Sequence, residues 1–211
     1  MSVVLEITDI EAGYQSDLVP VIKKVSFRAE RGAVVTLIGK NGSGKSTLLR
    51  GLAGDPQVYL RGEVRFQGYL MKRNPHWWRQ HSVLWIPQQG GAFEELSVNE
   101  NLKLSAHWAG AQRIDAALQL FPDLEKLLTR KAMYLSGGER RMLELAIVTF
   151  VSLPTALLID EPTAALSLRN ATRFLEYVNT LLDNGTTVVL ASHQEELSTR
   201  ANQIVHIGQK S

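Results

Sequence analysis

The sequence predicts an α/β fold carrying a sheet of largely parallel strands, and three observations carry that expectation. The runs AVVTLIG (33–39), TALLIDE (155–161) and TTVVLASH (186–193) are continuous apolar segments of strand length. Such runs suit strands covered on both faces, as in a parallel sheet. Each is followed by a polar or glycine-containing turn, and helical spacing dominates the stretch between the first run and the second.

Composition narrows the function. The chain has 211 residues, enough for one domain with an elaboration and a substantial core. Lys plus Arg number 23 against 21 Asp plus Glu, a net charge of +2, and no long basic block gives the footprint of a nucleic-acid binder. The start, MSVVLEITDIEAGY, lacks the basic and apolar regions of an export signal. The most apolar stretch, AIVTFVSLPTALLI (146–159), is too short to span a bilayer and is broken by Ser152 and Pro154. Any membrane role is therefore expected to come through a partner. The chain has no cysteine, which excludes disulfides, thiol nucleophiles and thiolate metal sites.

Taken in order, VVLEITDIEAGY, IKKVSFRAE and GEVRFQG (62–68) alternate as strands do, so the opening is β-rich. STLLRGLAG then reads as a helix following the first buried strand. SVNENLKLSAHW opens on a capping-box pattern, Ser97 with Glu100, and RIDAALQLF and DLEKLL flank Pro122. Residues 88–131 are expected to form a helical insert, with 1–87 and 132–211 building the β-subdomain and core of a single domain. No internal repeat, low-complexity tract or long linker interrupts it.

The chemistry lies in the turns. GKNGSGKS (39–46) fits G-x-x-x-x-G-K-[ST] and stands between a buried strand and a helix. Glycines allow a tight turn whose amides face phosphates, Lys45 brings a positive charge to the β and γ groups, and Ser46 offers a hydroxyl to Mg²⁺. At the end of another apolar run, Asp160 suits a Mg²⁺ water shell and Glu161 suits the orientation of an attacking water. His193 ends the third run within reach of a γ-phosphate. A second glycine turn, LSGGE at 135–139, is left over by this scheme.

GKNGSGKS, LSGGE, LLIDEP and ASH, in this order, resemble the nucleotide-binding subunit of ATP-binding cassette (ABC) transporters over nearly the whole chain. The resemblance implies a P-loop NTPase (RecA-like) core with a small antiparallel β-subdomain and an inserted α-helical subdomain. It implies ATP and Mg²⁺ held by Gly39, Lys40, Asn41, Gly42, Ser43, Gly44, Lys45, Ser46 and Thr47. Tyr14 looks like the aromatic that stacks on adenine, and Gln88, with Gln89 as the competing register, like the glutamine that reaches metal and water. Glu161, His193, Gln88 and Lys45 are then the catalytic set, and Ser46, Gln88 and Asp160 the metal set.

Ser136, Gly137 and Gly138 resemble the signature turn that covers the nucleotide of a second subunit. That similarity implies a homodimer or paired ATPase subunits, integral membrane transporter partners, and a cytoplasmic position on the inner face of the membrane. EPTAALS resembles the D-loop, with Ser167 where many members have aspartate. LFPDLEKLLTRKAMYLSGGERRMLELA and GGAFEELSVNENL look most like ATPase subunits of branched-chain amino-acid importers, and the length is also similar to haem-exporter and lipopolysaccharide-exporter ATPases. A soluble, non-transporting ATPase of the same family is the alternative. The Trp77–Trp78 pair suits either a partner surface or packing on the small β-region.

Overall fold

The structure is a computed structural model and describes residues 2–17, 19–71, 81–111, 113–151, 153–192 and 201–208. Two compact units divide the chain. The first comprises Met1–Pro87, Pro154–Glu161 and Leu181–Ser211, and the second Gln88–Leu153 and Pro162–Thr180.

In the first unit, β1 (Val3–Tyr14), β2 (Pro20–Glu30), β4 (Val58–Phe66) and β5 (Tyr69–Leu70) form an antiparallel sheet in the order β2-β1-β4-β5. Its strands alternate because one face meets the core, so Ile7 sits opposite both Phe27 and Val64 and all three are buried. The second sheet is parallel, with β6 (Val83–Ile86), β7 (Ala156–Asp160), β8 (Thr187–Ser192), β3 (Val34–Ile38) and β9 (Gln203–His206) in the order β6-β7-β8-β3-β9. Every residue of β7 and β8 is buried, the reason those runs are apolar without alternation.

The helix α1 (Lys45–Leu52) follows β3 and packs on β7 and β8. Leu48, Leu49 and Leu52 enter one core with Leu37, Phe66 and Ile10, and none of these six retains exposed surface. Each such side chain contributes about 1.5–3 kcal/mol by burial. Because the strands are parallel, the carboxyl ends of β3 and β7 emerge on the same edge, where open α/β sheets bind ligands.

The second unit is helical. It holds α2 (Val98–Trp108), α3 (Asp115–Leu120), the 3₁₀ turns Pro122–Leu127 and Ala132–Tyr134, α4 (Gly137–Ala146) and a third 3₁₀ turn, Ile147–Phe150. The unit boundary falls inside α5 (Leu168–Asp183), after Thr180. The Ser97 capping box forms, with the Glu100 amide donating to Ser97 Oγ at 3.2 Å and the Ser97 amide donating to Glu100 Oε2 at 2.7 Å. Phe121, Leu124, Leu143, Leu145, Val148 and Phe174 supply a fully buried apolar interior.

This unit begins at Gln88, where the helical insert is expected to begin, and extends beyond residue 131 to take in 132–153 and 162–180. The physical reason is the apolar stretch after the LSGGE turn: α4 and the turn Ile147–Phe150 pack on α2 and α3. The short strands β6 and β9 and the helix α5 are not anticipated from sequence, and β4 starts at Val58, ahead of the GEVRFQG run. Among the described residues, no helix is long and apolar enough to cross a membrane. The Trp77–Trp78 pair lies outside the described residues.

Candidate functional site

Residues 39–44 connect β3 to α1, and the backbone there is left-handed at Gly42 (φ 76°) and Gly44 (φ 102°). A Cβ on Gly44 would also meet Ile22 Cγ1 at 2.5 Å, whereas a Cβ on Gly42 would meet none of the described residues within 4 Å. Gly39 is required by closeness instead: its Cβ would lie 2.5 Å from the Ile207 carbonyl oxygen and from Ser43 Oγ. The helix α1 has Gly44 as its N-cap and no side-chain cap. Its first-turn amides are therefore left to water or a ligand.

Lys45 folds back over this loop, Nζ donating to the carbonyls of Gly39 (2.8 Å) and Lys40 (3.3 Å). Burial holds its pKa below the ordinary lysine value, and the negative charges of Glu161 and Asp160 oppose that shift. The ammonium thus already lies in the field of both carboxylates. Ser46 and Thr47 continue the first turn of α1, Ser46 partly exposed and Thr47 buried. Ser43 Oγ is buried and finds no hydrogen-bond partner among the described residues.

Asp160 ends β7 and is 3% exposed. Glu161 keeps its backbone on the sheet ladder, its amide donating to the Ala191 carbonyl at 3.0 Å, yet turns into the left-handed region at φ 48°. That combination directs the chain abruptly out of the strand. His193 lies outside the described residues.

Tyr14 ends β1 half-buried and packed on the core. Thr47 Oγ1 donates to its hydroxyl at 3.4 Å, and the Arg50 guanidinium carbon stands 5.7 Å from its ring centroid. Arg50 is held in turn by Asp55 at 2.7 Å and Gln57 at 3.2 Å. The aromatic singled out from the sequence is therefore fastened to the helix that follows the glycine loop. Arg50 escapes sequence reasoning because a lone arginine in a short helix carries no spacing signal.

The LSGGE turn and Gln88 belong to the second unit. Ser136 is the N-cap of α4: its Oγ accepts from the Glu139 amide at 3.3 Å, and Glu139 Oε2 accepts from the Ser136 amide at 2.7 Å. Those bonds, the backbone one first, hold the Glu139 carboxyl below its ordinary pKa, with Arg130 adding to the effect. Ser136 and Gly137 are exposed. A Cβ on Gly138 would strike the Ala165 carbonyl oxygen at 2.7 Å, but among the described residues one on Gly137 would meet only Ala165 Cβ, at 4.0 Å.

Gln88 and Gln89 are both exposed just after Pro87. Their loop is gripped from α4 by Arg141 and Glu144, a pair absent from the sequence reading although a carboxylate set among leucines in MLELA is its signal. Ser167 Oγ accepts from the Asn170 amide at 3.4 Å, so serine at the D-loop position caps the first turn of α5.

Comparison with known proteins gives these features a context. The family model described as ABC transporter matches residues 22–164. A probable branched-chain amino acid transport ATP-binding protein, LivF, of Archaeoglobus fulgidus is 34% identical, over 90% of this chain and 81% of its own length. The high-affinity branched-chain amino acid transport ATP-binding protein BraG of Pseudomonas aeruginosa is 32% identical, over 89% and 79%. The cytochrome c biogenesis ATP-binding export protein CcmA of Roseobacter denitrificans is 36% identical, over 90% and 84%. Among solved structures, an ATP-binding subunit of an ABC transporter superposes with a TM-score of 0.80 at 27% identity, covering 97% of this chain and 85% of that one. With its P-loop NTPase fold, its glycine loop and its carboxylate pair, the chain belongs to the ABC transporter family, as an ATP-binding subunit whose ATP hydrolysis is coupled to transport.

Proposed function

We propose that this subunit works as half of a nucleotide-sandwich dimer, in which ATP on residues 39–47 of one copy is covered by Ser136, Gly137 and Gly138 of another. The observation that carries this reading is Gly137. Among the described residues its own chain leaves room for a side chain there, so their packing does not account for the glycine, whereas Gly138 is explained by Ala165. Close approach of an external group accounts for it, and the exposed, positive end of α4 suits a phosphate.

The residues present fit Mg²⁺: the Ser46 hydroxyl and the buried Asp160 carboxylate are hard oxygen donors in one unit, and the charge of Asp160 is felt at Lys45. Mg²⁺, when bound, would neutralise charge on the β- and γ-phosphates. Lys45 exchanges its two loop carbonyls for phosphate oxygens, Glu161 orients the attacking water, and Gln88 and His193 approach the γ-phosphate. Tyr14 supplies a face for adenine stacking, held by Thr47 and Arg50. Closing of the pair excludes water and strengthens each of these electrostatic contacts.

Integral membrane subunits transmit the closure, which puts the chain on the cytoplasmic face of the membrane through its partners. The names of the LivF and BraG relatives favour transport of a branched-chain amino acid, and we take the direction to be import. Gly137→Asp tests the composite site: turnover is lost while ATP still binds the wild-type loop, and normal hydrolysis by this variant overturns the reading. Recovery of an integral membrane protein with the tagged chain, and loss of labelled leucine uptake on its deletion, test the transport and cargo assignments.

A further inference from the structure

The helix α4 carries two charged side chains that are buried rather than solvated. Arg141 and Glu144 are each 4% exposed and pair across one helical turn, Arg141 Nη1 lying 3.4 Å from Glu144 Oε2. Both reach into the loop that carries Gln88. Glu144 Oε1 accepts from the Gly90 amide at 3.2 Å and the Gly91 amide at 3.4 Å, while Arg141 Nη1 donates to the Gln88 carbonyl at 3.4 Å. A Cβ on Gly91 would meet Glu144 Cγ at 3.3 Å and Cβ at 3.5 Å, so the loop lies directly on the glutamate stem. The far side of the loop is fastened too: buried Asn101 accepts from the Phe93 amide at 2.7 Å and donates to the carbonyls of Phe93, Leu96 and Ser97.

Burying two charges is unfavourable unless each is paired and hydrogen-bonded. An apolar pair of similar volume would fill the same space without that penalty, so stability alone does not account for Arg141 and Glu144. What the charges add is direction: the carboxylate holds two consecutive amides, and the guanidinium holds the carbonyl two residues before them. The backbone on both sides of Gln89 is thereby fixed to the helix whose first residues are the Ser136 turn.

We propose that Arg141 and Glu144 are positioning residues that make the Gln88 loop and the Ser136–Gly138 turn a single mechanical piece, so that seating of the turn on a nucleotide also sets the Gln88 side chain. This rests on the reading that Gln88 acts at the γ-phosphate. Neither residue touches substrate, and both act through the loop backbone.

The test is steady-state ATP hydrolysis by the full chain. Removing one charge alone strands the other, so the informative variant replaces both, Arg141→Met with Glu144→Met, which keeps volume and apolar packing. Its kcat falls between about tenfold and a hundredfold, as misplacement of a positioned group does, while KM for ATP stays within about twofold. Glu144→Gln leaves Arg141 without its charge partner and so lowers stability in chemical denaturation, but its amide oxygen still accepts from Gly90 and Gly91 and the folded protein retains most of the turnover. Hydrogen exchange at residues 88–91 speeds up in the double variant only.

The same double replacement in a Gln88→Ala background adds no further loss, because the device acts through Gln88. Wild-type kcat in the double variant, or losses that multiply with Gln88→Ala, overturns the positioning role. If Gln88→Ala itself leaves kcat unchanged, the Gln88 reading fails and the proposal with it; if Gln88→Ala is impaired and the double variant is not, the positioning role alone fails.

Discussion

Two glycine-rich helix starts, α1 and α4, solve the same problem in opposite ways. Both leave backbone amides without intrahelical partners. At α1 the N-cap is a left-handed glycine with no side chain to donate to, and Lys45 lies across the loop instead. At α4 the cap is Ser136, and a complete capping box pairs the Ser136 and Glu139 amides from within the chain. The first start carries no side-chain cap; the second is capped at two amides and exposes Ser136 and Gly137. Glycine therefore opens an uncapped helix in one place and an exposed, side-chain-capped one in the other.

That contrast breaks first at the chemistry. Glu161→Gln is expected to lower turnover by about 10²–10⁴-fold, the range for loss of a general base, while ATP binding persists in a filter or fluorescence assay. Lys45→Ala lowers turnover by about 10²–10³-fold and weakens ATP binding as well, since a positive charge at the phosphates is lost. Retention of full ATP affinity by Lys45→Ala would remove the distinction between the two helix starts.

Next come the glycines. Gly44→Ala destabilises by about 1–3 kcal/mol in chemical denaturation, because the backbone is left-handed and Ile22 occupies the Cβ position. Gly42→Ala, with open space around it, is expected to stay near the lower end, about 1 kcal/mol. Ser136→Ala removes the cap of α4 and destabilises the nucleotide-free chain by about 1 kcal/mol in chemical denaturation; an unchanged midpoint would show that the capping box does not hold this helix start.

The smallest effect is a pH dependence. The Glu139 carboxyl is depressed below its ordinary 4.5 by the Ser136 amide and hydroxyl. A depressed acid contributes stability above its unfolded pKa and loses it as pH falls through the folded value. Melting curves taken below pH 4.5 should therefore converge for wild type and Glu139→Gln, whose separation is larger at neutral pH.

Much of this was legible in the residues. The runs that became β3, β7 and β8 announce full burial by their unbroken apolar character, and the two capping boxes at Ser97 and Ser136 are written in serine–glutamate spacing. The glycine loop announces itself by motif. Other features depend on tertiary neighbours and have no local pattern: β6 and β9 are four-residue strands, and the extent of the helical unit past residue 131 is decided by packing of α4 on helices distant in sequence. Glu144 among the leucines of MLELA hints at burial, but the pairing with Arg141 is hidden for a related reason, since charges three residues apart read as a solvated helix face until the loop that covers them is known. Tyr14 was visible, but not its attachment to Thr47 and Arg50.

The positive φ of Glu161 has an outcome for how such a chain can be improved by selection or by engineering. A residue other than glycine held there carries local strain of order 1–3 kcal/mol. Screening variants for thermal resistance alone would thus tend to drift toward glycine at 161 and, on the role proposed for Glu161, would lose hydrolysis in doing so. A robust version of this subunit has to be sought elsewhere in the chain, with that one uncomfortable turn left untouched.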